Sequence, residues 1–501
     1  MKRVLTSAAP RVEFLGTAAA RRAITLRFGN QIPLAVRARI TYVLQVFAAI
    51  YNYRFVDGPS DVPALICTYG IATERNSTES FSIPARYQTR PAGEAASHGI
   101  RGRFRGEELF LFHGIDEPTG LPDWPGEIFE WLTTRYELGA IERDAIGRIP
   151  FSASVFAREK ISPRKPYASI LMAWLQSEIL KREPGTAPAA PSVSPDADHL
   201  VVSSHDVDFY WVRSASAITR LAKNLGIAVK LYKSRQHLRD TASMLRGVLA
   251  GRRAGDYMPA LLHAGEKWNF RSTLFVVARH GHRRDPDYRL ADLHPRLIET
   301  RESGFDVQLH GSYSSIVESG SLAAEAQELA SVMGKPTLGG RQHWLRFDSH
   351  EKLFASIAAA GLVYDSTLGF SDTVGFRSGA SFAFPPYNFE NETPFDFLEI
   401  PLVLMDGSLE AAARTSGEDP VALANEVLVE SRRWGWGGVS ALWHNPIEPL
   451  SVPSSINDVF WRCVAQQDRH REKWISANDF MERSLNRYQN AGLLKGVRLN
   501  A

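Results

Sequence analysis

The chain has little cysteine. Only Cys67 and Cys463 occur among 501 residues. They lie in different halves and outside any CxxC or zinc-ribbon spacing, which argues against a disulfide framework and a thiolate zinc site. A reducing compartment fits that usage. Charge of one sign is equally scarce: 58 basic residues stand against 55 acidic ones, a formal balance of +3. No strong field therefore exists to gather nucleic acid or an anionic membrane, and a local cluster such as GRRAG (251–255) reads as solvated surface. Long apolar runs are missing too. The most hydrophobic window, ITYVLQVFAAIYNY (40–53), carries Gln45 and Asn52 and falls short of the roughly 20 apolar residues that span a bilayer, so it reads as a buried helix. Near the N-terminus Pro10, Arg11 and Glu13 interrupt any apolar signal region. Without an address in the sequence, the expectation is a cytoplasmic protein with no transmembrane segment; its oligomeric state is left open.

What is present is the composition of a globular protein, 44% hydrophobic and 23% charged, in a chain too long for one ordinary core. The clearest boundary is the Pro/Ala-rich stretch EPGTAPAAPSVSPDADH (183–199). It separates a smaller α/β domain over 1–182 from a larger region over 200–490. The first has expected helices at 34–53, 126–137 and 167–182 and strands at 61–70 and 106–114. The second alternates strands at 200–205, 272–278, 306–311, 362–367, 398–404 and 439–445, and an unassigned segment around 340–347, with helices at 213–250, 289–303, 321–333, 349–360, 419–434 and 471–485. Strand and helix in alternation predict a parallel sheet with crossover helices, and this many units suit barrel-like closure. Chemistry then belongs at the C-terminal ends of the strands.

Several polar residues fall there. Asp206 and Asp208, two apart at the end of VVSSHDVDF (201–209), point to one side of an extended strand. One can bind a divalent metal while the other takes a proton from water, although Asp-x-Asp after a strand is commonly a turn or a helix cap. His310 ends DVQLHG, His444 ends ALWH, and Arg341 in RQHWLRF offers a bidentate partner for a carboxylate. Imidazole and carboxylate together are the ligands that zinc accepts with an open position. Tyr313, Trp344, Phe376 and Tyr387 can stack on a sugar or simply pack in a core. Arg377 can hold an anionic group or pair with Asp372.

The order of SHDVD (204–208), FDVQLHGSY (305–313), GGRQHWLRF (339–347), YDSTLGFSDTVGFRSGASFAFPPYN (364–388), IPLVLMDGSL (400–409) and LWHN (442–445) resembles the polysaccharide deacetylases with a NodB-type catalytic domain. In particular it is similar to a branch in which an α/β domain precedes that barrel. The resemblance covers about 200–490. It implies an α/β fold with a distorted (β/α) barrel and hydrolysis of an N-acetyl group on a sugar or glycan precursor. Asp206 would then be the general base and Asp208 and His310 metal ligands, with zinc the first choice of divalent metal. Arg341 would orient Asp206, His444 would be the general acid, and Asp365 would set its tautomer through a hydrogen bond. Tyr313, Trp344 and Arg377 become the substrate-binding candidates, and carbohydrate is the expected partner. The family's second metal histidine has Ser314 in its place, which leaves Ser314, His343 or His205 to complete the ligands. Asn445 stands where the last motif commonly has Asp. Two alternatives remain: a catalytically silent carbohydrate-binding homologue, and an O-acetyl esterase or other amide hydrolase on the same barrel. A glycosidase fits less well, because its two carboxylates must flank a sugar, whereas Asp206 and Asp208 share a strand.

Overall fold

A computed structural model of the chain describes residues 22–57, 65–71, 80–87, 99–138, 142–182, 197–208, 210, 257–286, 288–318, 320–436, 438–444, 456–466 and 471–496. The N-terminal start, residues 183–196 of the expected linker, the helical stretch read at 213–250, the GRRAG segment and Asn445 lie outside the described residues.

Before the linker, β1 (Arg22–Phe28), β2 (Tyr53–Asp57), β3 (Leu65–Tyr69) and β4 (Ser80–Ile83) pair in parallel in the order β2-β1-β3-β4. Parallel neighbours cannot be joined by a hairpin, and the helix Leu34–Tyr51 supplies the crossover from β1 to β2. That helix is long and apolar enough to cross a membrane by length and composition, more than the shorter window in the sequence suggests, yet 61% of its span is buried inside the protein. It ends at Asn52 in left-handed backbone, whose N–H returns to the Ala48 carbonyl. Two hairpins follow, β5 (Ile100–Phe104) with β6 (Glu107–Leu111) and β7 (Ile115–Asp116) with β8 (Leu121–Pro122). Asp123 then caps the helix Trp124–Leu132, accepting from Gly126 N–H.

After the linker, the parallel sheet is built from β9 (His199–Asp206), β10 (Thr273–Val276), β11 (Asp306–Gly311), β12 (Gly339–Gln342) and β13 (Tyr364–Asp365). A small hairpin, β14 (Tyr387–Asn388) with β15 (Thr393–Pro394), precedes β16 (Leu398–Glu399), β17 (Leu402–Met405), β18 (Gly438–Leu442) and β19 (Glu472–Ile475). The order is β16-β13-β12-β11-β10-β9-β18-β17, with β19 also on β9. The edge strands β16 and β17 are separated in the chain only by Ile400 and Pro401. An eight-strand sheet whose two edges are that close in sequence must curl, and it forms a barrel-like, curled half-barrel. β9 is buried over its whole length, as a strand covered on both faces should be.

The segment read as one strand at 398–404 is broken because Pro401 has no N–H to donate to a ladder. The helix read at 471–485 is instead β19 followed by the helix Ala477–Asn490, capped by Ser476. Helices at Met258–Trp268, Asp406–Ser416 and Ile456–Gln466 have no counterpart in the sequence reading. One contiguous apolar core takes residues from both sides of the linker, so no break in packing marks the expected boundary.

Candidate metal centre

The polar residues meet at the C-terminal rim of the sheet. Alternation along β9 sends Ser204, Asp206 and Asp208 to one side and His205 to the other. His205 is accordingly buried away from the rim, with Nδ1 2.8 Å from the Trp443 carbonyl and Nε2 3.2 Å from the Ser272 hydroxyl, which removes it as a ligand candidate. From β12, with two strands between it and β9, Arg341 Nη1 donates to Asp206 Oδ1 at 2.8 Å and to the Ser204 hydroxyl at 2.9 Å. Its Nε and Nη2 donate to the carbonyl and hydroxyl of Ser366, both at 3.0 Å. This pair is almost wholly buried, so the guanidinium balances a charge that burial would otherwise make costly.

Asp208, His310 and His343 bring one ligand atom each to within 4.8 Å of one another. His310 Nε2 lies 3.5 Å from Asp206 Oδ2 and 3.5 Å from Asp208 Oδ1; His343 Nε2 lies 3.5 Å from Asp208 Oδ2. These separations exceed ordinary hydrogen bonds, and Asp208 Oδ1 and His310 Nε2 are buried without a hydrogen-bond partner. The tautomer of His310 follows from its other nitrogen. Nδ1 is 2.9 Å from the Arg341 carbonyl, which can only accept, so Nδ1 carries a proton and Nε2 is the nitrogen turned toward two carboxylates. At 3.5 Å from both carboxylates, Nε2 is close enough to share a cation with them but beyond an ordinary hydrogen bond. The donor set therefore fits a divalent metal held by nitrogen and oxygen.

Behind His343, Asp285 lies 3.6 Å from Nδ1 and accepts N–H bonds from Gly281, His282 and Tyr313 at 3.1, 2.8 and 2.8 Å. A carboxylate or carbonyl behind each imidazole is the usual support of a metal-binding histidine. Burial opposes ionisation of Asp285, but His343 and these N–H groups outweigh it and hold the carboxyl at about 2. Asp208 is likewise held well below the usual carboxylate range, against its burial, by His310, His343 and His444.

His444 follows β18. Its Nδ1–H donates to Asp406 Oδ1 at 2.7 Å, and its backbone N–H donates to Asp406 Oδ2 at 2.9 Å. Its Nε2 lies 3.7 Å from Asp208 Oδ2. Burial alone would depress both imidazoles. Instead Asp406, with Asp208 and Asp206, raises His444 to about 10, and Asp208 with Asp285 raises His343 to about 9. The rise registers how strongly four carboxylates draw positive charge to this point.

The partner of His444 is thus Asp406 and not Asp365, correcting the expectation. Asp365 is fully buried and engaged with the Thr367 hydroxyl and N–H at 2.9 and 3.0 Å. Burial, opposed by these bonds, pushes its carboxyl up to about 6. Arg377 is no ligand for an anionic substrate either. It is buried and paired with Glu137 through Nε and Nη2 at 3.0 and 2.7 Å, rather than with Asp372, whose carboxylate accepts from Phe151 N–H. Phe376 and Tyr387 are buried in the core. Tyr313 stands at the rim, but His282 stacks on it at 4.2 Å and the Arg346 guanidinium lies 4.5 Å from its centre, so its faces are occupied. Trp344 is the aromatic left open, 44% exposed. Ser314 lies half-buried in the turn after β11, its carbonyl accepting from Val317 and Glu318 N–H; the group of three is completed by His343.

Two participants had no role in the sequence reading. Asp406 sits inside the quoted IPLVLMDGSL stretch, but nothing in sequence links it to a histidine 38 positions later. Asp285 lies in the loop after β10, in an Arg-Arg-Asp-Pro run that reads as an ordinary turn. The sequence matches no known family model and no curated protein.

Proposed function

We propose that the protein is a metal-dependent hydrolase that removes N-acetyl groups from an acetamido sugar or glycan, working as the NodB-type deacetylases it resembles. The observation that carries this reading is the convergence of Asp208, His310 and His343 ligand atoms within 4.8 Å of one another, with Asp208 Oδ1 and His310 Nε2 buried and unpartnered. A divalent cation held by Asp208, His310 and His343 would polarise the amide carbonyl and acidify a water. Asp206 is the proton acceptor: Arg341 occupies Oδ1, and Oδ2 remains turned toward the ligand cluster. His444 is the proton donor. Asp406 fixes its Nδ1–H, so Nε2 is the nitrogen that faces the cluster and protonates the departing amine.

The N-terminal part serves as a brace for the mouth. Arg148 Nη1 donates to the Trp344 carbonyl at 2.9 Å, and Arg346 Nε donates to the Ile146 carbonyl at 2.9 Å.

The test is acetate release from N-acetylglucosamine oligomers and from O-acetyl sugars by zinc-supplemented protein. The expected result is release from the amide substrates, abolished by chelation and reduced by roughly 100-fold to 10,000-fold in Asp206→Asn. Release from esters alone would establish an esterase. No release together with no bound metal would leave a binding protein.

A further inference from the structure

The mouth carries a cationic edge for which the hydrolytic step has no use. Trp344 and Leu345 both hold left-handed backbone, with φ of 66° and 51°. Residues other than glycine hold this conformation only under strain, and such strain clusters at functional sites. Its result is an outward-facing indole whose ring centre is 5.7 Å from that of His343.

One guanidinium reaches this indole, and a second lies against the ring of Tyr313. Arg284 lies 5.8 Å from the Trp344 ring centre and 5.5 Å from that of Tyr313. Arg346 is fixed against Tyr313 by donating to its carbonyl at 2.9 Å. Among the described residues neither arginine has an ion-pair partner. The acidic groups of this edge are committed elsewhere: Asp285 to His343 and three N–H groups, and Asp144 to Arg148 at 2.7 Å. Arg346 spends two donors on backbone carbonyls, yet both half-buried guanidinium groups keep their charge without a carboxylate partner among the described residues, beside an exposed aromatic ring, where a ligand of opposite charge would be favoured.

We propose that the acetamido sugar taken at this site carries an anionic group, a carboxylate or a phosphate, on the side facing Trp344, with Arg284 and Arg346 as its counter-charges. This rests on the hydrolase reading above. A guanidinium fork matches the paired oxygens of either anion, and the indole face receives the sugar ring.

The test is calorimetric titration of the zinc-loaded full chain with three probes: a neutral N-acetylglucosamine oligomer, an oligomer alternating N-acetylglucosamine with glucuronic acid, and N-acetylglucosamine 1-phosphate. One anionic probe should bind at least about tenfold tighter than the neutral one, a difference of about 1.4 kcal/mol, and which one identifies the carboxylate or the phosphate as the source. The advantage should shrink with added salt, fall at least about fivefold in Arg284→Gln, and persist in part in Arg284→Lys. Equal binding of neutral and anionic probes, or an advantage that survives Arg284→Gln, overturns the inference. Binding is read as heat and not as acetate, so the two claims fail separately. Preference without hydrolysis would sink the hydrolase reading, and hydrolysis without preference would sink this one.

Discussion

Two regions of this protein bury arginine, acid and histidine together, and they treat them oppositely. At the junction between the N-terminal part and the barrel, Glu137 accepts from Arg377 through both carboxylate oxygens, Arg377 Nη1 donates to the Gly369 carbonyl at 2.7 Å, and the Tyr136 hydroxyl donates to the Arg377 carbonyl. His350 Nε2 meets the Thr134 hydroxyl at 3.0 Å. Burial, helped by Arg377 and Arg143, keeps its imidazole neutral down to about 3. At the mouth, by contrast, His310 and Asp208 face each other with no hydrogen bond between them, and His343 is pushed up rather than down. Buried polar groups in folded proteins are nearly always partnered. A cluster that is complete holds the structure together, whereas a cluster left incomplete implies something else that completes it.

That contrast can be broken from either side. Glu137→Ala strands Arg377 in the interior and should cost about 3–5 kcal/mol in denaturant unfolding; a loss below about 1 kcal/mol would mean that the junction is not the satisfied network described. Asp285→Asn at the mouth should instead weaken zinc binding by about 10-fold to 100-fold in a chelator competition, as loss of a supporting carboxylate does elsewhere, with unfolding little changed. Unaltered affinity would remove His343 from the ligand set.

The pH dependence sharpens the comparison. Because the folded value for His350 lies near 3 and the unfolded one near 6.5, the unfolded chain binds a proton that the folded chain does not. Stability therefore falls as pH drops from about 6.5 to about 3, by up to about 1.4 kcal/mol per pH unit. His350→Gln should flatten that limb in unfolding curves taken across the window, and a limb of unchanged slope would show that His350 is protonated in the fold. The smallest effect is expected from Ser314→Ala, with zinc affinity within about twofold of the parent because imidazole rather than hydroxyl completes the site. A tenfold loss would restore Ser314 to it.

Much of this architecture was legible in the sequence because β9, β10, β11 and β18 are apolar stretches ended by polar residues, and that pattern survives in a buried parallel sheet. β19 was not, since Glu472–Ile475 is too short to show a period beside the longer helix that follows it. At the site, Asp206, Asp208, His310, Arg341 and His444 were all marked by position at strand ends. The pairs that complete it were not: Asp406 with His444, Asp285 with His343 and Glu137 with Arg377 are contacts across the fold, the last between residues 240 positions apart, and no local pattern encodes which carboxylate a given cation will meet. The resemblance led to Asp365 for the same reason, because sequence order says that an acid is available but not that Thr367 has already taken it.

The central claim, that the mouth is built around a cation, is tested most directly by anomalous diffraction at the zinc edge from crystals of the zinc-treated protein. The account predicts one ion with Asp208, His310 Nε2 and His343 Nε2 at about 2.0–2.2 Å. Density that shows no ion there, or an ion held without both histidines, would contradict it.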